Sequence, residues 1–445
     1  MRLSISFALV LLVSLLAASV ADAGQRIFID SFNNGNVVQG RVDNGGNIDE
    51  LDAFSTGASG NEGMATSPDG KTLLVAGTSA SVFAVARTGV SNRGHAAYPG
   101  SSAYGTLFSP NGKYAFVATS KPGGGDIRGY RVARNGRLKA NGKRTTGDTP
   151  PTGLAITPSG KYLYVGTTGN DLKIFRVNAN GGLKEAGNSP LTTGPNTFAL
   201  SIAPDGHHLY TTDNNTPSFV HAYEIRSDGS LAQLGDSPYP ASGDGPFGST
   251  ISPDGKFLYV ANYTSSTISG FKIANDGGLT PLPGVAYPGP ASTAALAINA
   301  SGSTLFAVNG DGGGLGVYDL IDGEPMNMAN SAFSNTGDFQ SIVLTPAQPP
   351  RARLQVGVVG KTAKLSAKRS ADDGSIVQYA WKFGDGEKTF TMGPKVDHTY
   401  AKPGEYTVTA TDDDECSTRF VSAGQTAYCN GGKQAVAEAT VKVKK

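Results

Sequence analysis

Apolar residues in this chain come in short runs: Thr72–Val75, Tyr114–Val117, Tyr162–Val165, His208–Tyr210, Phe257–Val260 and Thr304–Val308. A second set alternates apolar and polar positions, as in Val82–Val85, Ile174–Val177, Ala222–Ile225 and Gly270–Ile273. Period-two patterning predicts strands whose two faces pack on neighbouring sheets. One turn phrase precedes each run of the first set. It reads Ser67-Pro68-Asp69-Gly70, Ser109-Pro110-Asn111-Gly112, Thr157-Pro158-Ser159-Gly160, Ala203-Pro204-Asp205-Gly206, Ser252-Pro253-Asp254-Gly255 and Asn299-Ala300-Ser301-Gly302, with a truncated Thr345-Pro346 at the end. Pro presets φ at the first central position, and Gly reaches positive φ without a Cβ clash. A second turn follows each alternating strand: Asn135-Gly136, Asn180-Gly181-Gly182, Asp228-Gly229 and Asn275-Asp276-Gly277-Gly278. Asn-Gly and Asp-Gly are strong hairpin signals. The steps from one phrase to the next are 42, 48, 46, 49, 47 and 46 residues, Ala300 standing once for Pro. A period of this length with several strands per unit predicts a β-propeller.

The ends of the periodic region set the blade count. Arg26–Asp30, Val37–Val42 and the turn Asn44-Gly45-Gly46 match the middle of a repeat but lack its inner strand. Phe339–Leu344 supplies an inner strand alone. Together they complete a seventh blade, a closure that removes exposed sheet edges. The fold class is therefore all-β: a seven-bladed propeller over residues 24–346, then a Pro-rich linker over 347–352, then a separate domain over 353–445. Inner strands such as Pro151–Ile156 are rich in small residues, as expected where they crowd a central channel.

Residues 1–23 read as a secretory signal peptide: Met1-Arg2, an apolar run from Leu3 to Val20, and the small-x-small site Ala21-Asp22-Ala23. No later apolar run approaches the ~20 residues of a membrane span. The mature chain is expected to be secreted, extracellular or at the cell surface, and periplasmic in a Gram-negative host. Residues 24–350 carry 21 Lys and Arg against 24 Asp and Glu, and residues 351–445 carry 15 against 11. Neither part is basic enough to indicate nucleic acid as a partner.

The last domain holds the only Trp and both cysteines. Strands are expected at 354–359, 363–367, 376–383, 406–411 and 435–443, which predicts an Ig-like sandwich. Tyr379-Ala380-Trp381-Lys382-Phe383-Gly384-Asp385-Gly386, His398-Thr399-Tyr400 and Pro403-Gly404-Glu405-Tyr406-Thr407-Val408-Thr409 resemble the PKD domain of surface and secreted proteins. Lys382 departs from that pattern, where the family usually has Asp. The resemblance implies a non-catalytic spacer or binding module, with Trp381 in the core. Cys416 and Cys429 are expected to form a disulfide in an exported protein. Asp372, Asp373, Asp412, Asp413, Asp414 and Glu415 fall in two loops expected at one tip of the sandwich. They form a candidate Ca²⁺ site, with a solvated acidic loop as the alternative. No other cofactor is required.

On the propeller, the face opposite the Pro-Asp-Gly turns is the expected ligand face. Its loops offer Tyr98, Tyr104, Asp148, Asp213, Tyr239, Asp244, Phe247, Tyr263, Tyr287, Asp311 and Asp338. Aromatic rings with scattered carboxylates suit hydroxyl-rich ligands such as glycans. A basic run, Arg128, Arg131, Arg134, Arg137, Lys139, Lys143 and Arg144, lies on the outer half of the second blade and could meet an anionic envelope polymer. A solvated outer strand is the alternative. Lys256–Asn262 with Gly277-Gly278-Leu279, and Lys161–Val165 with Gly181-Gly182-Leu183, resemble the lactonase-type seven-bladed propellers and the Tyr-Val-Thr-Asn repeat surface proteins. That family includes hydrolases of sugar-phosphate lactones and muconate lactonising enzymes, whose chemistry needs His, Arg and acidic groups on the channel. Here the propeller histidines are only His95, His207, His208 and His221, and no catalytic set can be placed. Export also argues against a sugar-phosphate substrate. The leading expectation is a binding or adhesion protein whose propeller takes a glycan, an envelope polymer or a surface protein. The alternative is a lactonase-like hydrolase acting on an extracellular lactone.

Overall fold

The computed structural model describes residues 25–444 apart from 44–45, 61, 87–88, 99–100, 195, 285, 332–336, 349, 371–375, 415–420, 423–424 and 427–434. The described residues contain strands and turns and no α-helix. The expected signal peptide and both cysteines lie outside them. No described helix is long and apolar enough to cross a membrane.

Seven antiparallel sheets of at least four strands follow one another along residues 25–344. Blade 1 runs through Gly63–Thr66, Thr72–Ala76, Ser79–Ala86 and Gly89–Ala97; blade 2 through Ser102–Phe108, Tyr114–Lys121, Gly124–Val132 and Leu138–Gly147. Blade 7 is shared between the two ends of this region, ordered Ile48–Ser55, Asn36–Val42, Gln25–Asp30, Ile342–Leu344. Its seam pairs Ile27 with Leu344, Phe28 with Val343 and Ile29 with Ile342. The Thr345 hydroxyl accepts the Arg26 N–H at 2.8 Å, and Thr66 of blade 1 donates to the Leu344 carbonyl at 2.9 Å.

The turn phrase explains itself at atomic level. Ser67 donates to Asp69 Oδ1 at 2.6 Å and accepts the Thr72 N–H at 2.9 Å, while the Gly70 N–H closes the turn on the Ser67 carbonyl at 2.8 Å. Ser109 with Asn111 and Ser252 with Asp254 repeat this network. The turns also touch one another. The turn glycine of each blade packs on the turn proline of the blade before it: Gly112 on Pro68, Gly160 on Pro110, Gly206 on Pro158, Gly255 on Pro204 and Gly302 on Pro253. Gly70 packs on Pro346, so the truncated seventh phrase closes the circle.

Buried tyrosines tie neighbouring blades together. The hydroxyls of Tyr164, Tyr210 and Tyr259 donate to the carbonyls of Gly229, Gly277 and Gly323 in the next blade at 3.0, 2.9 and 2.6 Å. Each ring is buried and each hydroxyl satisfied, which is the condition for placing Tyr in a core. In blades 3, 4 and 5 the outer strand is split in two, into Leu183–Glu185 with Leu191–Thr192, Leu231–Gln233 with Tyr239–Pro240, and Leu279–Pro281 with Tyr287–Pro288. In the first two, the hydroxyls of Ser189 and Ser237 fill the gap by accepting the N–H groups of Ile174 and Ala222 at 3.1 and 2.9 Å.

The C-terminal domain packs a three-stranded sheet and a four-stranded sheet around Trp381, Tyr400, Phe383, Val408 and Val441. Trp381 is fully buried and its indole N–H donates to Thr391 Oγ1 at 2.8 Å, in keeping with a core role. His398 lies flat on Phe383, ring centroids 3.9 Å apart, with Nε2 2.6 Å from Asp385 Oδ2. Two strands beyond those expected, Lys388–Thr391 and Lys395–Thr399, complete the sheets.

Candidate functional site

The site follows from the repeat register. Counting back from the turn proline (Ala300 in one repeat), the fifth residue is Gly63, Gly105, Gly153, Ala199, Gly248, Ala295 or Ser341, small every time. At these positions the inner strands of neighbouring blades approach one another closely. A Cβ on Gly153 would lie 2.4 Å from the Phe198 carbonyl oxygen, and one on Gly248 2.7 Å from that of Ala294. Five inner strands also bulge beside this position, breaking register at Ala103/Gly105, Pro151/Leu154, Thr197/Leu200, Pro246/Gly248 and Thr293/Leu296. Bulges re-aim side chains and recur next to functional sites.

The residue one step earlier is free to be large, and it varies: Glu62, Tyr104, Thr152, Phe198, Phe247, Ala294 and Gln340. All of these line one cavity of about 200 Å³ at the channel mouth. It opens on the face opposite the Pro-Asp-Gly turns, the face expected to bind ligands. One wall is aromatic. The rings of Phe198 and Phe247 lie 5.3 Å apart, and Tyr263 continues the line 5.8 Å from Phe247. The Tyr263 hydroxyl donates to Asp311 Oδ1 at 3.1 Å, and Ser292 donates to the other oxygen of the same carboxylate.

The opposite wall is acidic. Glu62 is half-buried in the lining, and burial pushes its carboxyl up to about 7. Asp30 is fully buried behind Ser341, with Oδ1 accepting the N–H groups of Ser341 at 2.7 Å and Gln340 at 3.2 Å. Its Oδ2 has no partner among the described residues. Burial holds Asp30 well above the usual carboxylate range, and the Glu62 charge adds to that. The Tyr104 phenol is raised as well, by burial first and by Glu62 second.

The residues expected on the ligand face divide into groups. Tyr104 and Phe247 line the cavity, and Tyr263 and Asp311 adjoin its aromatic wall. Tyr98 is fully buried, its hydroxyl donating to the Gly77 carbonyl at 2.8 Å. Asp213 is buried and accepts the Phe219 N–H at 2.8 Å, with His221 Nε2 at 3.2 Å. Tyr239 and Tyr287 sit on outer strands of blades 4 and 5, packed against the core. Asp338 accepts a hydrogen bond from Asn33, Asp244 accepts one at its backbone from Ser265, and Asp148 is exposed. Glu62, Phe198 and Gln340 were not expected; alignment on the turn proline is the signal that finds them. None of the propeller histidines lines the cavity.

Elsewhere, Asp126 is buried amid Lys121, Lys143 and Arg128, with N–O distances of 3.2, 3.4 and 3.8 Å. Within the basic run, Arg144 donates to the Leu183 carbonyl, while Arg131, Arg134, Arg137 and Lys139 are exposed. In the second domain Asp412 is buried, and the described residues hold no metal-binding cluster. The side chains of Asp413 and Asp414, and all of Asp372, Asp373 and Glu415, lie outside the described residues.

The seven-bladed lactonase β-propeller family model matches residues 99–200 and 183–294, and the PKD domain model matches residues 351–419. The chain thus carries a lactonase-type propeller followed by a PKD domain. Among solved structures, the periplasmic gluconolactonase of Pseudomonas aeruginosa is 16% identical at a TM-score of 0.61, covering 72% of this chain and 99% of that one. A protein of Bacteroides fragilis provisionally assigned as a 6-phosphogluconolactonase is 18% identical at 0.62, covering 73% and 99%. A Bacteroides uniformis protein with the same provisional assignment is 17% identical at 0.63, covering 72% and 99%. At these identities the likeness is one of fold. No curated protein matches the chain.

Proposed function

We propose that the propeller is a lactone hydrolase with Glu62 as its general base, working outside the cytoplasm. The carrying observation is a carboxyl tuned to about 7 inside an aromatic-walled cavity at the channel mouth. A general base is most effective when its pKa lies near the working pH. The Glu62 carboxylate takes a proton from water, and the hydroxyl oxygen adds to the lactone carbonyl carbon. The tetrahedral intermediate collapses by breaking the ring C–O bond. Glu62 returns its proton to the departing alkoxide, giving the open hydroxy acid. The Tyr104 phenol stays protonated and can donate to the developing oxyanion. The family match and the neighbours' printed names support this reading over adhesion, for which no observation speaks beyond the PKD domain itself.

The test is proton release from a panel of sugar lactones with the purified chain. Turnover well above the buffer rate, with kcat/KM lowered at least hundredfold by Glu62→Gln, is expected. A wild-type rate equal to buffer, or equal rates for both proteins, would refute it.

A further inference from the structure

We infer that the cavity takes an uncharged polyhydroxy lactone and rejects phosphorylated or otherwise anionic ones. The inference rests on the lactone-site reading and specifies its substrate class. Its basis is the charge inventory of the lining. Among the described residues there, none is Lys, Arg or His; Glu62 is the one carboxylate, and Asp30 lies buried just behind. The remaining polar side chains are neutral: Gln340, Ser341, Thr106, Thr152, Ser249 and the Tyr104 phenol. A phosphate brought into such a cavity would lose water and gain no cation in return, and burial of an unpaired ion is strongly disfavoured. Above the Glu62 pKa it would also face a like charge.

What the cavity does offer suits a sugar ring. The C–H face of a pyranose can lie against Phe198 and Phe247, as apolar faces do on aromatic walls. Its hydroxyls meet amide, hydroxyl and carboxyl groups on the far side. The cavity, at about 200 Å³, has room for one such ring. The positive charge around Asp126 and along Leu138–Gly147 of blade 2 contributes nothing to the lining.

The experiment compares D-glucono-1,5-lactone with its 6-phosphate on the intact chain. A kcat/KM at least hundredfold higher for the unphosphorylated lactone is expected. Gln340→Arg, which places a cation in the lining, should narrow that ratio at least tenfold. Equal or better turnover of the phosphate by the wild-type chain would overturn the inference while leaving the hydrolase reading intact. If neither lactone is turned over, the hydrolase reading fails. Titration calorimetry with the corresponding neutral lactam and its 6-phosphate then decides the specificity alone. Selective binding of the neutral lactam, abolished by Phe247→Ala, supports it; binding of the phosphate, or of neither, overturns it.

Discussion

Replacing Glu62 by Gln should stabilise the protein at high pH and leave it unchanged at low pH. The buried carboxyl binds its proton more tightly in the folded chain than in the unfolded one. Below pH 4.5 both states are protonated and Glu62 costs nothing. As pH rises from the ordinary value of 4.5 to about 7, the unfolded chain ionises while the folded chain resists, so stability falls. Above 7 the loss is complete. At ~1.4 kcal/mol per pH unit, the interval corresponds to at most about 3.5 kcal/mol, and about 1–3 kcal/mol after partial solvation of the half-buried carboxyl. Gln keeps the shape and removes the titration. The assay is urea unfolding of the intact chain at pH values from 4.5 to 8, comparing wild type with Glu62→Gln. The difference should open across this window and then level off. Asp30 titrates in both proteins and cancels to first order. A difference that stays flat with pH, or that favours wild type at pH 8, would show that Glu62 is solvated and not the tuned base of the cavity.

Other expectations can be tested alongside. The pH profile of kcat/KM for a neutral lactone should rise with a limb near 7, the Glu62 value, and a limb near 4.5 would remove the tuned base. Gly181→Ala places a methyl 2.2 Å from the Tyr114 ring at φ +80°, whereas Gly123→Ala at φ +78° meets open space. The first should cost about 2–5 kcal/mol and the second about 1–2 kcal/mol in unfolding free energy, and equal costs would deny the contact between blades. Tyr210→Phe, which leaves the Gly277 carbonyl without its donor, should lower stability by about 1–2 kcal/mol, measured in the same way. If the acidic loops of the second domain hold Ca²⁺, the melting temperature should rise in Ca²⁺ over EDTA, and identical curves would remove the site.

Architecture was legible because the turn phrase carries its own hydrogen bonds. Ser67, Asp69 and Gly70 act within one turn, so their identities are visible without tertiary context. The split outer strands were not, because Ser189 and Ser237 substitute for backbone partners fifteen residues away in the chain. Lys388–Thr391 carries no inward apolar pattern to mark it, because its large apolar residue points outward, Phe390 being 62% exposed. The face on which the cavity opens was legible from connectivity, and Tyr104 and Phe247 as lining residues from their type. Glu62 was not, since a lone acid before a glycine has no local signature. Only the ring of seven inner strands turns it into one wall of a cavity. Likewise Tyr98 and Asp213 have the types of ligand-binding residues but serve the fold, through Gly77 and Phe219.

The seam of blade 7 has a mechanical consequence. The linker to the second domain leaves the propeller directly after the three-residue strand Ile342–Leu344, which is held to Gln25–Asp30 by three residue pairs. Any tension on the C-terminal domain therefore arrives first at the shortest inner-strand pairing of the seven blades. The Thr345 contact with Arg26 and the packing of Gly70 on Pro346 act as the clamp at that point. Stretched in an optical trap from its two ends, the chain should yield at this clasp before any other blade opens. Losing the clasp would strip Ser341 and Gln340 from the cavity wall, so the ring would lose its pocket at the moment it loses its closure.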